Sequence, residues 1–488
     1  MEGLEGVKPP RGDHTIRSTW PPAFPIMRLQ PLLPPMTLSL PHVILAAALA
    51  VCGACGFRSA KAEPARHVLL ITVDGMRADH CSFLLYDRPT TSAPAGVNSL
   101  GLALDDLALR GTVYVQAFCP SPYVESSLAT LMTGAVPMRT RVLDTGGEIS
   151  PDVTTMAQEL VAVGFEAAGF IARGGKHLTS GLERGLAPCE VLDTDEEVLA
   201  AAADWLEGRT WEGAPRVFLW LHLEGPQIPF QPAPCAWPGS PDQLVDYTTL
   251  FTDPEYRGPA DGSFEFKEAS TAPDPPPLTL ASQYQTVALY DGGLATLSGR
   301  VANFLERFRR AVPDEWNQTG IVLAGVSGTS LPESGRWPTD RWLDDDRLRV
   351  PLLFYGPARS ASTGLQGELV GLSRVAPTIL AWLDVPHEGQ REPGLFGPQG
   401  APPAGSGEVH PMIAFDLAQG LYTLRGTDFR LLADEGVLRG QRSHMGLFPV
   451  QNLEQLHVDV ALQRVSVVDG MRQEIVGWLK SLSAGGKD

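Results

Sequence analysis

The sequence predicts an α/β fold: a mainly parallel sheet with helices on both faces, followed by a small C-terminal α+β subdomain. Three observations predict it. Five runs, His67–Val73, Phe165–Ala172, Arg216–Leu223, Gly320–Gly325 and Val350–Tyr355, are almost continuously apolar. Such runs mark strands buried on both faces. Helical candidates alternate with them, at Thr154–Val163, Glu197–Glu207, Ser282–Ala311 and Val375–Leu383. That alternation implies right-handed crossovers between parallel strands. Near the end the pattern changes to short strands, Met412–Asp416, Leu421–Arg425 and Phe429–Ala433, then a helix over about Ser466–Leu482.

In chain order, residues 1–64 form a leader and linker outside the fold. Val43–Gly56 is an uncharged run, VILAAALAVCGACG, of signal-peptide length and short for a membrane span. Met27, directly before Arg28, is the expected start. Cys52 and Cys55 close the run among small residues and leave lipidation open. The expectation is an exported chain, either periplasmic, extracellular or anchored as a lipoprotein, with no other membrane association.

Residues 65–387 hold the α/β domain. In the long helix, Leu294, Leu297, Val301, Phe304, Leu305 and Phe308 recur at three- and four-residue steps and form one apolar stripe. Pro229–Leu280 is rich in proline and polar residues and reads as a long surface excursion. Residues 388–409 are dense in Gly and Pro and read as a linker to the subdomain at 410–488.

The chain has 488 residues and a formal charge of −18, which argues against nucleic-acid and anionic-membrane partners. Four cysteines follow the leader: Cys81, Cys119, Cys189 and Cys235. Export permits disulfides among them, but four cysteines allow three pairings and spacing does not choose. No pair has zinc-site spacing.

Read in order, these segments resemble the sulfatases of the alkaline-phosphatase-like superfamily. The first strand ends in VDGMRADH with Asp74 at its tip. Sulfatases end that strand in an aspartate that holds a divalent metal, often followed by Arg-x-Asp-His; here Arg77, Asp79 and His80 match. Leu104–Val115, Ser127–Gly134, Thr155–Phe165, Trp220–Phe230, Arg347–Pro357, Ser373–Leu380 and Leu447–Gln455 are similar to further family blocks, so the likeness runs from Ala65 to Leu482.

The resemblance implies a centre that this chain has largely lost. Ester cleavage of this kind needs a cation, an attacking oxygen and acids for the leaving group. Where the family carries its nucleophile, this sequence has Val124. Where a late strand should end in Asp-His-Gly it has Val326, Ser327 and Gly328, and Gln227 replaces a histidine. Ser298 fills a helix position often held by aspartate. Of the expected vestigial site (Asp74, Val124, Gln227, Ser298, Val326, Ser327), Asp74 alone can ligate a metal strongly. The Cys-x-Pro-x-Arg modification signal is missing, since Cys119 opens CPSPY instead.

Plainer roles stand beside these. Asp74 can simply accept backbone N–H groups at a strand end. Ser126 and Ser127 read as helix caps. His222 reads as a core histidine, and Arg173, Lys176 and His177 as solvated loop charges. Asp344, Asp345 and Asp346 read as surface. The expected function is that of a sulfatase-like pseudoenzyme, without cofactor, that binds or scaffolds. Its ligand would be a sulfated or anionic small molecule, a carbohydrate or a protein. The alternatives are an active sulfuric or phosphoric ester hydrolase with a rebuilt Ca²⁺ or other divalent centre, and a partner-binding structural lipoprotein.

Overall fold

The structure is a computed structural model that describes residues 65–172, 181–272, 277–333, 337, 343–356, 363–386, 392–396, 412–416, 419–439, 445–450 and 459–484. The leader with Cys52 and Cys55, the loop residues Arg173, Lys176 and His177, and most of the expected linker lie outside them. Lys61–Asp488 forms one compact unit.

At its centre is an eight-stranded sheet. Its strands are β1 (His67–Val73), β2 (Thr112–Phe118), β3 (Glu166–Ala172), β4 (Cys189–Leu192), β5 (Val217–Leu223), β8 (Thr319–Gly325), β9 (Arg349–Tyr355) and β10 (Gly364–Gly371). A hairpin of β6 (Pro234–Trp237) and β7 (Ser240–Asp246) lies apart from it. The order across the sheet is β10-β2-β9-β8-β1-β5-β3-β4. All neighbours are parallel except β9, which runs antiparallel to both β2 and β8.

β1 sits in the middle, flanked by β5 and β8, and all seven of its residues are buried. Its side chains alternate between two apolar layers. Val68 and Leu70 join one with α2 (Val124–Thr133), α4 (Met156–Ala162) and α9 (Val375–Trp382). Leu69, Ile71 and Val73 join the other with α1 (Leu104–Arg110), α5 (Asp195–Glu207) and α7 (Leu280–Ala311). A strand covered on both faces is apolar at most positions, which is why these runs stand out in the sequence; in β1 only His67 and Thr72 depart from this. The short helix α3 (Pro137–Thr140) follows α2.

The Pro229–Leu280 excursion is more ordered than composition suggests. It carries the β6–β7 hairpin and α6 (Phe264–Thr271). Trp237 is buried there and gives its indole N–H to Tyr247 at 2.9 Å. After α8 (Asp345–Leu348), the chain's last part is an antiparallel sheet of four strands, where three were expected. These are β11 (Met412–Asp416), β12 (Leu421–Arg425), β13 (Phe429–Asp434) and β14 (Met445–Pro449); α10 (Glu435–Leu438) and α11 (Val465–Ala484) accompany them. Val468, Met471 and Ile475 of α11 join the apolar core of that sheet. All four described cysteines are free thiols.

Candidate functional site at the strand tips

Where β1, β5 and β8 end side by side, their following residues meet. Asp74, 7 % exposed, takes its place through a backbone bond from its N–H to the Leu223 carbonyl at the end of β5 (2.9 Å). Gly75 then turns with φ +70°, a conformation that costs glycine little. The turn aims the Gly75 N–H at Asp74 Oδ1, 2.7 Å away. A side chain at Gly75 would also collide with Gln227, whose Cδ would lie 2.9 Å from the added Cβ. Gln227 thus lies against the turn beside Asp74.

β8 supplies the other side. Val326 donates its N–H to the Val73 carbonyl at 2.9 Å, which extends the parallel ladder past the strand end. Ser327, buried, then gives its hydroxyl to Asp74 Oδ1 at 2.5 Å. Gly328 passes so close to the α8 turn that an added Cβ would sit 1.9 Å from the Asp346 carbonyl oxygen. This glycine has a packing reason to stay.

Val124 is the first residue of α2, half-buried and packed against the apolar layer that includes Val326. Just before α2, Cys119 donates to the Ser121 carbonyl, and burial pushes its thiol up to about 12, with the Asp74 charge acting the same way. Such a thiol is protonated at neutral pH and is no nucleophile. Ser126 and Ser127 do not cap α2. The N-cap is Tyr123, Ser127 bonds the Ser121 carbonyl at 3.1 Å, and the buried Ser126 hydroxyl has no partner. The chain turns into the helix earlier than the polar pair suggests.

Of the expected site residues, Asp74, Ser327 and Gln227 come together, with Val326 adjoining. Ser298 does not join them: it is buried on α7 and donates to the Thr91 carbonyl at 3.2 Å. The aspartate of α7 that matters here is Asp291, two turns earlier and fully buried. Its Oδ1 meets His80 Nδ1 at 2.7 Å, and its Oδ2 accepts from Tyr86 and Arg88, each at 2.7 Å. Glu333 accepts from Arg77 at 2.9 Å and lies 3.5 Å from His80 Nε2. Arg77 also grips Asp79 with two bonds of 3.0 and 2.6 Å. Tyr290 ties this network to the turn: its hydroxyl donates to the Gly75 carbonyl (2.8 Å) and accepts from the Arg77 N–H (2.9 Å). The Arg-x-Asp-His tail therefore knots the strand-tip loop to α7. Sequence reading passed over Asp291 and Glu333. Asp291 had a signal, because it is an acid three residues before Leu294 on the apolar stripe.

The electrostatics follow from burial and pairing. Burial opposes a charge on His80, but its bonds to Asp291 and Glu333 outweigh that and raise its pKa. Burial likewise pushes the Asp79 carboxyl up, and the Arg77 guanidinium overrides it, holding the group at about 2. His222 is a satisfied core histidine, buried with Nδ1 3.0 Å from the Thr72 hydroxyl. The Asp344–Asp346 turn is not free surface as expected. Asp344 binds Arg430, and Asp345 lies 3.2 Å from Arg425.

A hard divalent ion needs several oxygen or imidazole ligands at once. Near Asp74 stand a carboxamide and a hydroxyl already given to that carboxylate, while the Val326 side chain packs into an apolar layer. Among the described residues no three His, Cys, Asp or Glu side chains gather as a metal set. This donor set does not fit a resident cation.

The family model described as Sulfatase matches residues 66–385. No curated protein sequence matches the chain. Among solved structures, the chain is similar to a phosphonate monoester hydrolase of Agrobacterium radiobacter (TM-score 0.60, 16 % identity, covering 87 % of this chain and 96 % of that one). It is also similar to a 2-O GAG sulfatase (TM-score 0.63, 13 % identity, 86 % and 93 % covered). A third is a protein solved with its substrate D-glucosamine-2-N,6-O-disulfate (TM-score 0.61, 12 % identity, 87 % and 99 % covered). Identities this low speak to the fold alone.

Proposed function

We propose a function from one premise: this chain belongs to the sulfatase family. On that premise the protein is an exported sulfatase-like binding protein, periplasmic, anchored as a lipoprotein or extracellular, that does not turn over sulfate or phosphate esters. One observation carries the reading. At the two positions that should supply an attacking oxygen and a metal ligand beside Asp74, the side chains are Val124 and Val326, both packed into one apolar layer. Neither can attack, ligate or move a proton.

A rebuilt centre would need other acids. Of the acids in the α8 turn, Asp344 and Asp345 are engaged by Arg430 and Arg425, and Asp346 lies within reach of the Arg77 charge. Asp79 and Glu333 are engaged by Arg77. The ligand class that the reading favours is a sulfated or otherwise anionic carbohydrate, because one fold neighbour was solved with a sulfated glucosamine.

The test is hydrolysis of aryl sulfate and aryl phosphate by purified protein, with Ca²⁺, Mg²⁺ or Mn²⁺ and with chelator. The expected outcome is the rate of a protein-free blank in every arm. Turnover that appears with a metal and vanishes with chelator refutes the proposal. A companion measurement is the melting temperature with each ion, since an ion that binds the native state must raise it.

A further inference from the structure

The seam between the end of β2 and the C-terminal sheet holds three guanidinium groups. Arg349, paired in register with Phe118, gives its Nε to the Val115 carbonyl at 3.0 Å. Arg430 gives Nη1 to the Leu343 carbonyl at 2.7 Å and to the Asp344 carboxylate. Arg425, directly across the ladder from Arg430, has less. Its side chain is 9 % exposed, yet among the described residues its one polar partner is Asp345 Oδ2 at 3.2 Å. Its Nε and Nη1 are buried with no hydrogen-bond partner among the described residues, and so is Asp345 Oδ1. The guanidinium stands over the Phe118 ring, 5.4 Å from its centroid.

Asp344 takes Arg430 and Asp345 takes one nitrogen of Arg425, which leaves the rest of the Arg425 guanidinium without an acceptor among the described residues. A buried arginine with two unsatisfied nitrogens is costly unless something else completes it. Burial, with Arg430 and Arg349 acting the same way, lowers the pKa of Arg425, the mark of an undercompensated cation. Asp345, 34 % exposed, is the solvent-facing member of the pair.

We propose that Arg425 forms a subsite for a small oxyanion, the shared chemistry of sulfate, phosphate and carboxylate, with Asp345 as its internal competitor. Arginine's planar fork suits such groups. The subsite lies at the same end of the sheet as Asp74, since Phe118 leads directly into Cys119 and the loop before α2. It does not depend on whether the strand-tip site is active.

Melting temperature is measured against sodium sulfate at fixed ionic strength, with chloride as the balancing salt. The natural chain should show a saturable rise that Arg425→Met abolishes and that Asp74→Asn leaves in place. Asp345→Asn should tighten the half-saturating sulfate concentration about tenfold, since it removes the competing charge. A methyl sulfate arm separates free anion from esterified group: equal saturation means that the subsite accepts the ester. If Arg425→Met fails to fold, the Asp345→Asn result decides. No saturable response in the natural chain, or an unchanged midpoint in Asp345→Asn, overturns the proposal in favour of ordered water alone.

Discussion

Ser327 gives its hydroxyl to the Asp74 carboxylate at 2.5 Å and so joins the tips of β8 and β1 across 253 positions of sequence. Both residues are buried, and the bond runs to the acid at the tip of the central strand. Here a side-chain hydroxyl helps satisfy that carboxylate.

Ser327→Ala removes the donor and leaves a buried carboxylate oxygen with one bond fewer. A hydrogen bond to a charged group contributes about 1.5–3 kcal/mol, and Ser327→Ala should lower the unfolding free energy by that amount. Urea denaturation followed by far-UV circular dichroism measures it. A loss under about 0.5 kcal/mol, the scatter of ordinary surface changes, would mean that the bond does not hold the tips together.

Gly328→Ala tests the neighbouring contact. The added Cβ would meet the Asp346 carbonyl oxygen at 1.9 Å and its carbon at 2.9 Å, both backbone atoms that cannot rotate away. The expected cost is about 3 kcal/mol or more. Gly470→Ala in α11 is the control, because nothing lies within 4 Å of its added methyl. Replacing a helical glycine there should raise stability by about 0.5–1 kcal/mol. Equal effects from the two changes would show that the Gly328 approach is looser than described.

The contrast between these glycines bears on what the sequence could reveal. Strands such as β1 were legible because burial on both faces forces an uninterrupted apolar run. β10, reading GLQGELVG, has no such run because it is an edge strand with one flank open, and it was missed. The site divides in the same way. Residues at strand tips, Asp74, Ser327 and Val326, are marked by the family resemblance because each follows a recognisable strand directly. Partners brought in from helices and loops, Asp291 and Glu333, have no fixed offset from those ends. The resemblance points to Ser298 on the long helix, whereas Asp291 makes the pair with His80, and periodicity along a long helix does not say which turn faces the loop. The acids at 344–346 look like surface in one dimension, and only the C-terminal sheet brings Arg425 and Arg430 onto them.

The His80–Asp291 pair makes stability depend on pH in a set direction. The folded pKa of His80 is raised above 6.5, so its contribution is full below about 6.5 and is lost as pH climbs through the folded value. Asp79 works at the other end: held at about 2 from an ordinary 3.8, it contributes above 3.8 and loses that as pH falls through about 2. Melting temperatures of the natural chain and His80→Asn should therefore differ most near pH 6 and converge at higher pH. A gap that widens with rising pH would show that His80 is neutral in the fold.

Val326→Asp asks whether the aliphatic side chain faces the strand-tip site or only the apolar layer. Val326 is fully buried, so a carboxylate there lacks water and a cationic partner, and the expected loss is about 3–5 kcal/mol. If the side chain faces Asp74, the variant places two carboxylates beside the Gln227 carboxamide. Calcium that binds them must then restore part of the lost stability in proportion to its concentration. The expected outcome is a melting temperature that rises with millimolar Ca²⁺ in Val326→Asp and stays level in the natural chain. A variant that is destabilised but indifferent to calcium would place position 326 in the core and away from the site, and the correspondence drawn between β8 and the metal-bearing strand of sulfatases would fail at that residue.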